Sequence, residues 1–158
     1  MLKIEIMKRA DGAGLLRCTR GDGSVTWQKQ SERHAAHFTF HDLTHFALET
    51  VLGYEQGFFG LIAAGWDIED TTGKGTRGAL PPEAGEVECV VGLFDAERGS
   101  GALWSAEEFK MFAPWKLSRA LNDEAIQAVR ARRAELFRQW SDVPVGGVLE
   151  LRYPETAI

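Results

Sequence analysis

Between Phe40 and Leu52 the chain is apolar around most of a helical circumference, and no other stretch constrains the fold as much. On a wheel at about 100° per residue, Leu43, Phe46, Ala47 and Val51 cover the back, with Leu48 and Leu52 at its edge. His41, Asp42, His45 and Glu49 share one sector of about 100°. Water cannot solvate so wide an apolar surface favourably, so a helix of this kind is buried on most sides. The rest of the chain must therefore supply layers around it. The polar stripe must face a pocket or a partner group. Thr39 is read as the N-cap, its hydroxyl accepting the amide of Asp42 at N3, with Phe38 and Leu43 as a hydrophobic staple and Gly53 as the stop.

The layers are legible on both sides of this helix. Leu2, Ile4 and Ile6 alternate with Lys3 and Glu5, the period of a half-buried strand. Asp11-Gly12 suits a tight turn. A second strand is expected over Leu15 to Arg20 and a third from about Ser24 to Lys29. At the other end Leu149, Leu151 and Tyr153 alternate with Glu150 and Arg152. A lone strand cannot bury its face, so this one joins the N-terminal meander. Between them come helices: an apolar one over Glu55 to Ala64, one starting at Pro81-Pro82-Glu83 with Val87, Val90, Val91 and Phe94 inward, a short one capped by Ser105, and the longest, from Asn122 to about Trp140. The expected fold class is α+β. A single domain over residues 1–158 carries an antiparallel sheet of about four strands, packed on one face by about four or five helices.

Composition sets bounds on function. With 44% hydrophobic and 26% charged residues over 158 positions, the chain has enough apolar material for one core without staples. A net charge of -5 offers no general attraction to nucleic acid or to anionic membranes, and neither half is basic. The start, Met1-Leu2-Lys3-Ile4-Glu5, has charges where a secretory signal needs apolar residues, and the longest apolar run, Phe58 to Trp66, is short for a bilayer. Two cysteines in unlike contexts, Cys18 and Cys89, suggest no disulfide, so a cytoplasmic location is expected. The partner is expected to be a small molecule or a protein rather than nucleic acid or membrane, and no oligomeric state is read.

The chemistry rests on the histidines, all four between His34 and His45. His41-Asp42-Leu43-Thr44-His45 resembles the His-Glu-x-x-His helix of zinc metalloproteases, with aspartate for glutamate. Histidines four apart lie one turn apart on one face, so both imidazoles can reach one ion, zinc or another divalent metal. Asp42 would then be the general base, reaching one methylene less far than glutamate does. Glu49, about 12 Å along the axis from His41, is too distant to complete the same ligand set. It is expected either as a base or as the group that orients His45 from one turn away. The third ligand must come from elsewhere: His34, His37 or an acid of the Asp67–Asp70 run, a loop of the kind that can close over a pocket.

The competing reading gives Asp42 to the helix start and Glu49 to a His45 hydrogen bond, a buried polar network with no ligand, in a non-catalytic binding or scaffold domain. Gly73-Lys74-Gly75-Thr76-Arg77-Gly78 lacks the spacing of a P-loop and is read as a solvated loop. Arg130, Arg132, Arg133 and Arg138 are read as a solvated helix with local ion pairs. Finally, the His41–Glu49 stretch, followed by Gly57-Phe58-Phe59-Gly60-Leu61-Ile62-Ala63-Ala64-Gly65-Trp66, is similar to a pattern in small bacterial proteins to which no activity is attached. The resemblance covers about a sixth of the chain and implies a bacterial origin without a mechanism.

Overall fold

The computed structural model describes residues 1–28 and 35–155. Its sheet has four strands: β1 (Leu2–Lys8), β2 (Gly14–Thr19), β3 (Val25–Trp27) and β4 (Val148–Tyr153). Their order is β3-β2-β1-β4 with every pairing antiparallel. The C-terminal strand thus closes on β1, with Ile4 facing Leu151 and Ile6 facing Leu149 across the pair. On β1's other side Ile4 meets Cys18 and Ile6 meets Leu16. These residues are buried and their sequence neighbours are not, so one face of the sheet packs and the other meets water. Gly12, at φ +82°, turns β1 into β2.

Five helices complete the fold: α1 (Ala35–Leu52), α2 (Phe58–Ala63), α3 (Pro82–Ser100), α4 (Ala106–Phe112) and α5 (Asp123–Asp142). Helices α1, α2 and the end of α5 lie on the buried face of the sheet, and α3 and α4 pack on α1 and α5. Among them α1 is central. Every residue from Asp42 to Glu49 is buried, which a helix achieves only with neighbours on more than one side. Its Leu43, Phe46 and Ala47 pack with β1, β2, β4, α2 and the end of α5. Leu48 packs into a second cluster with Val87, Val90, Val91 and Phe94 of α3, Phe109 of α4, and Ile126 and Val129 of α5. Each fully buried large apolar side chain stabilises the fold by about 1.5–3 kcal/mol.

Local starts and stops follow the expected chemistry at most ends. Ser105 and Glu108 form a reciprocal capping box on α4, and the Asn122 side chain accepts the amide of Ala125 at 2.8 Å on α5. The start of α1 differs. The helix begins at Ala35, so Thr39 lies inside it and caps nothing. The Thr39 hydroxyl is buried without a hydrogen-bond partner among the described residues, and a Cβ at Gly14 would lie 2.3 Å from it. Asp42 is therefore no part of a helix start. Strand β3 is shorter than expected, and Lys29 and His34 lie outside the described residues.

Two further expectations change. The segment after Trp66 is not a plain loop: Ile68–Thr72 forms a 3-10 turn whose own capping box uses Asp67 and Asp70. The arginines of α5 make both kinds of contact: Arg132 keeps a local pair with Glu135 at 3.4 Å, while others reach distant segments. Arg130 pairs with the buried Glu97 of α3, and Arg133, also buried, donates to the Phe94 carbonyl at 3.1 Å. Glu97 further accepts the Trp104 amide, so one carboxylate ties α3, α5 and the start of α4 together. Among the described residues no helix is long and apolar enough to cross a membrane.

Candidate metal centre

Histidines at every fourth position stack along α1. The ring of His37 lies 5.9 Å from that of His41, which lies 4.8 Å from that of His45. Helix α3 passes over this row and presents Glu88 and Asp95, seven residues and about two turns apart on one face. The His41 Nδ1 is 3.2 Å from the Asp95 carboxylate, and its Nε2 is 3.8 Å from Glu88. The His45 Nδ1 is 3.0 Å from Glu49, and its Nε2 is 3.0 Å from the other oxygen of Glu88. Both rings therefore have a carboxylate at Nδ1 and turn Nε2 toward the same third carboxylate.

Glu49 is held from the far side. Its second oxygen accepts the amides of Phe59 and Gly60, at 3.0 and 3.2 Å, where α2 begins. Gly57 lies against it so tightly that a Cβ there would fall 2.4 Å from the Glu49 carboxyl carbon. Both Glu49 oxygens are thus used, one on α2 and one on His45. A carboxylate fixed in this way sets the ring orientation and keeps its proton on Nδ1.

The other edge of His45 is less well served. Although Glu88 is near, Nε2 is buried and has no hydrogen-bond partner among the described residues. Burial opposes charge on this ring, but Glu49 and Glu88 outweigh it and hold the pKa up to about 10. Glu88 is driven the other way: burial raises it, and His45 and His41 pull it below the ordinary glutamate value. Asp42 is buried beside them. Burial pushes its carboxyl up to about 7, Glu88 adds to the rise, and the two histidines and a hydrogen bond from Gln28 oppose it.

The nitrogens of His41 and His45 and a Glu88 oxygen all lie within 4.8 Å of one another. Ligand atoms of a tetrahedral zinc site, with bonds of about 2.0–2.1 Å, sit about 3.3 Å apart, so a modest contraction around an ion brings these three into range. The cluster opens into a cavity of about 520 Å³ lined by Asp42, His41, His45, Glu88 and the apolar side chains of Phe38, Phe58, Ile68 and Leu80. That volume suits a small molecule. Glu69 and Thr71 of the 3-10 turn form part of its wall, so the acidic segment does border the histidine pocket.

The structure brings His41, His45 and Asp42 to one cavity and puts Glu49 behind His45 rather than in it. Of the third ligands considered, His37 lies on the opposite side of His41, Asp67 and Asp70 are occupied in their own turn, Glu69 lines the cavity but is not in the His41–His45–Glu88 group, and His34 is outside the described residues. Among the described residues, Glu88 is the acid that groups with the nitrogens of His41 and His45. Sequence reasoning missed it and Asp95 because α3 was read for its apolar stripe alone. Two acids seven apart, on the flank of such a stripe, were the available signal. The buried Cys18 thiol is pushed by burial up to about 12, which suits a core residue and no nucleophile. The chain matches no family model, no curated protein and no solved structure.

Proposed function

We propose that the chain binds a divalent transition metal through His41 Nε2, His45 Nε2 and the Glu88 carboxylate, and that this centre serves a hydrolytic reaction in the adjoining cavity. The observation that carries the reading is the paired arrangement of the rings. Asp95 and Glu49 fix the two Nδ1 atoms, and both Nε2 atoms converge on Glu88, at 3.8 and 3.0 Å, with that of His45 buried. Metal-ligating histidines are held by this kind of outer carboxylate. A donor set of two imidazoles and one carboxylate, without thiolate, suits zinc or ferrous iron and leaves coordination positions free.

A bound ion of this kind acts as a Lewis acid and acidifies water. The residues supply the remainder. Asp42, with a carboxyl pushed up to about 7, is fit to take a proton near neutrality. Phe38, Phe58, Ile68 and Leu80 exclude bulk water and accept an apolar part of a substrate.

Metal analysis of chain purified without a nickel column tests this, followed by zinc titration of chelator-treated wild type, His45→Ala and Glu88→Gln. Near-stoichiometric zinc is expected for wild type, with affinity at least about tenfold weaker in Glu88→Gln. Less than about 0.2 metal per chain together with no zinc uptake overturns the reading.

One observation favours a second reading, a metal-free structural network. Glu49 is fully bonded to His45 and to the start of α2, which by itself ties α1 to α2. On that reading His45→Ala costs about 1–3 kcal/mol of stability, because it orphans a buried carboxylate oxygen, while wild type takes up no metal.

A further inference from the structure

His41 is a wall common to two cavities. The second, of about 390 Å³, is lined by His37, Phe40, His41, Asp95, Arg98 and Gly99. We infer that this second cavity is a binding site for an anionic group, a phosphate or a carboxylate, gripped by Arg98 with His37 beside it. Arg98 stands in the last turn of α3, with its guanidinium 5.0 Å from the ring centres of both Phe40 and Phe137. Those two rings pack edge to face at 4.8 Å, so the guanidinium sits against an aromatic pair.

Its charge is not spent elsewhere. Among the described residues Arg98 has no carboxylate within ion-pair distance and no hydrogen-bond acceptor, unlike Arg20, Arg130, Arg132 and Arg133. Asp95, the acid that lines the same cavity, is turned to the His41 Nδ1. The guanidinium lies within 5.0 Å of both ring centres, and its N–H fork matches two oxygens of a phosphate or carboxylate. His37, exposed and one turn before His41, adds a second polar edge. Arg98 is itself exposed, so its fork is open to a ligand entering this cavity.

The inference does not rest on the metal reading, and the experiment keeps them apart. Chelator-treated, isotope-labelled chain is titrated with inorganic phosphate and, separately, with acetate at constant ionic strength, following the Arg98 side-chain Nε–H and the Gly99 amide by NMR. Saturable shifts are expected for wild type with at least one of the two anions, and the tighter one assigns the ligand class. Arg98→Gln is expected to weaken binding by about tenfold or more, with Arg98→Lys intermediate because it keeps the charge and loses the fork. His37→Asn, at an exposed position, gives a second and smaller loss. Linear, unsaturated shifts in wild type, or an Arg98→Gln titration identical to wild type, overturn the site. Zinc uptake by Arg98→Gln is expected to be unchanged. If wild type binds phosphate but no zinc, the metal reading falls and the anion site stands.

Discussion

Replacing Gly57 by alanine perturbs the carboxylate behind His45 without touching either residue. At φ -81° the backbone of Gly57 suits any amino acid, so the substitution carries no conformational strain of its own. The added Cβ would lie 2.4 Å from Glu49 Cδ, 2.6 Å from its Oε1 and 2.7 Å from its Cγ. Ordinary contact needs a separation about 1 Å larger, and the obstacle is no flexible surface group. Glu49 is 1% exposed and is bonded to His45, Phe59 and Gly60. Either the start of α2 shifts or Glu49 turns away from His45. Overpacking of this kind costs about 1–3 kcal/mol. A lost hydrogen bond to a charged partner costs about 1.5–3 kcal/mol. The two overlap, because relief of one incurs the other, so the expected loss is about 2–4 kcal/mol, or about 5–15 °C in Tm. Loss of the outer carboxylate on His45 should also weaken zinc affinity about 10–100-fold. Urea unfolding and a zinc competition titration measure the two effects. Wild-type stability together with wild-type zinc affinity in Gly57→Ala would refute the positioning role assigned to Glu49.

The opposite sign is expected at Gly92, in the middle of α3, where nothing lies within 4 Å of an added Cβ. Gly92→Ala should raise stability by about 0.5–1 kcal/mol in the same urea assay, since only the unfolded chain's freedom changes. The pH dependence of metal-free chain follows from His45. Its folded pKa, about 10, lies above the ordinary 6.5, so its contribution is present in full below about pH 6.5 and is lost as pH rises toward 10. Asp42 acts in a lower window: with its pKa raised to about 7, it favours the folded state most at acid pH and opposes it above 7. Stability of wild type should therefore fall between pH 7 and 10, and that fall should be absent in His45→Gln. Zinc affinity should run the other way and strengthen with pH, because the ion displaces the His45 proton; a pH-independent affinity would contradict the assignment of His45.

What was legible in the sequence was local or periodic. The alternation in β1 and β4 has a period that survives any tertiary context, and the apolar circumference of α1 had only one physical consequence, burial between layers. The sector shared by His41, Asp42, His45 and Glu49 was equally a matter of geometry along one helix. Illegible were the contacts that join distant segments. A threonine before an apolar run reads as a cap, and only the structure places Thr39 inside α1, packed against Gly14. Glu88 and Asp95 share a helix with a strong apolar stripe, and nothing within α3 says that its flank faces two imidazoles. For the same reason Arg133 reads as a surface residue until Glu97 and the Phe94 carbonyl are placed beside it.

The charge count around the two rings brings the metal site and the structural network closer than they first stand. Asp42, Glu49, Glu88 and Asp95 surround His41 and His45, so the cluster holds more potential negative charge than the imidazoles can match. With both rings protonated, two positive charges face four carboxylates. With both rings neutral and one divalent ion bound, two positive charges face the same four. The ion and the two protons are thus electrostatic equivalents within this site. The chain therefore need not unfold without metal: a protonated His45 between Glu49 and Glu88 supplies in part the charge that an ion would supply. The same equivalence requires that metal uptake release the His45 proton, which its two carboxylates hold firmly. Zinc titration in two buffers of different ionisation enthalpy counts the protons released. Release close to zero would mean that the ion, if it binds, binds somewhere other than on these rings.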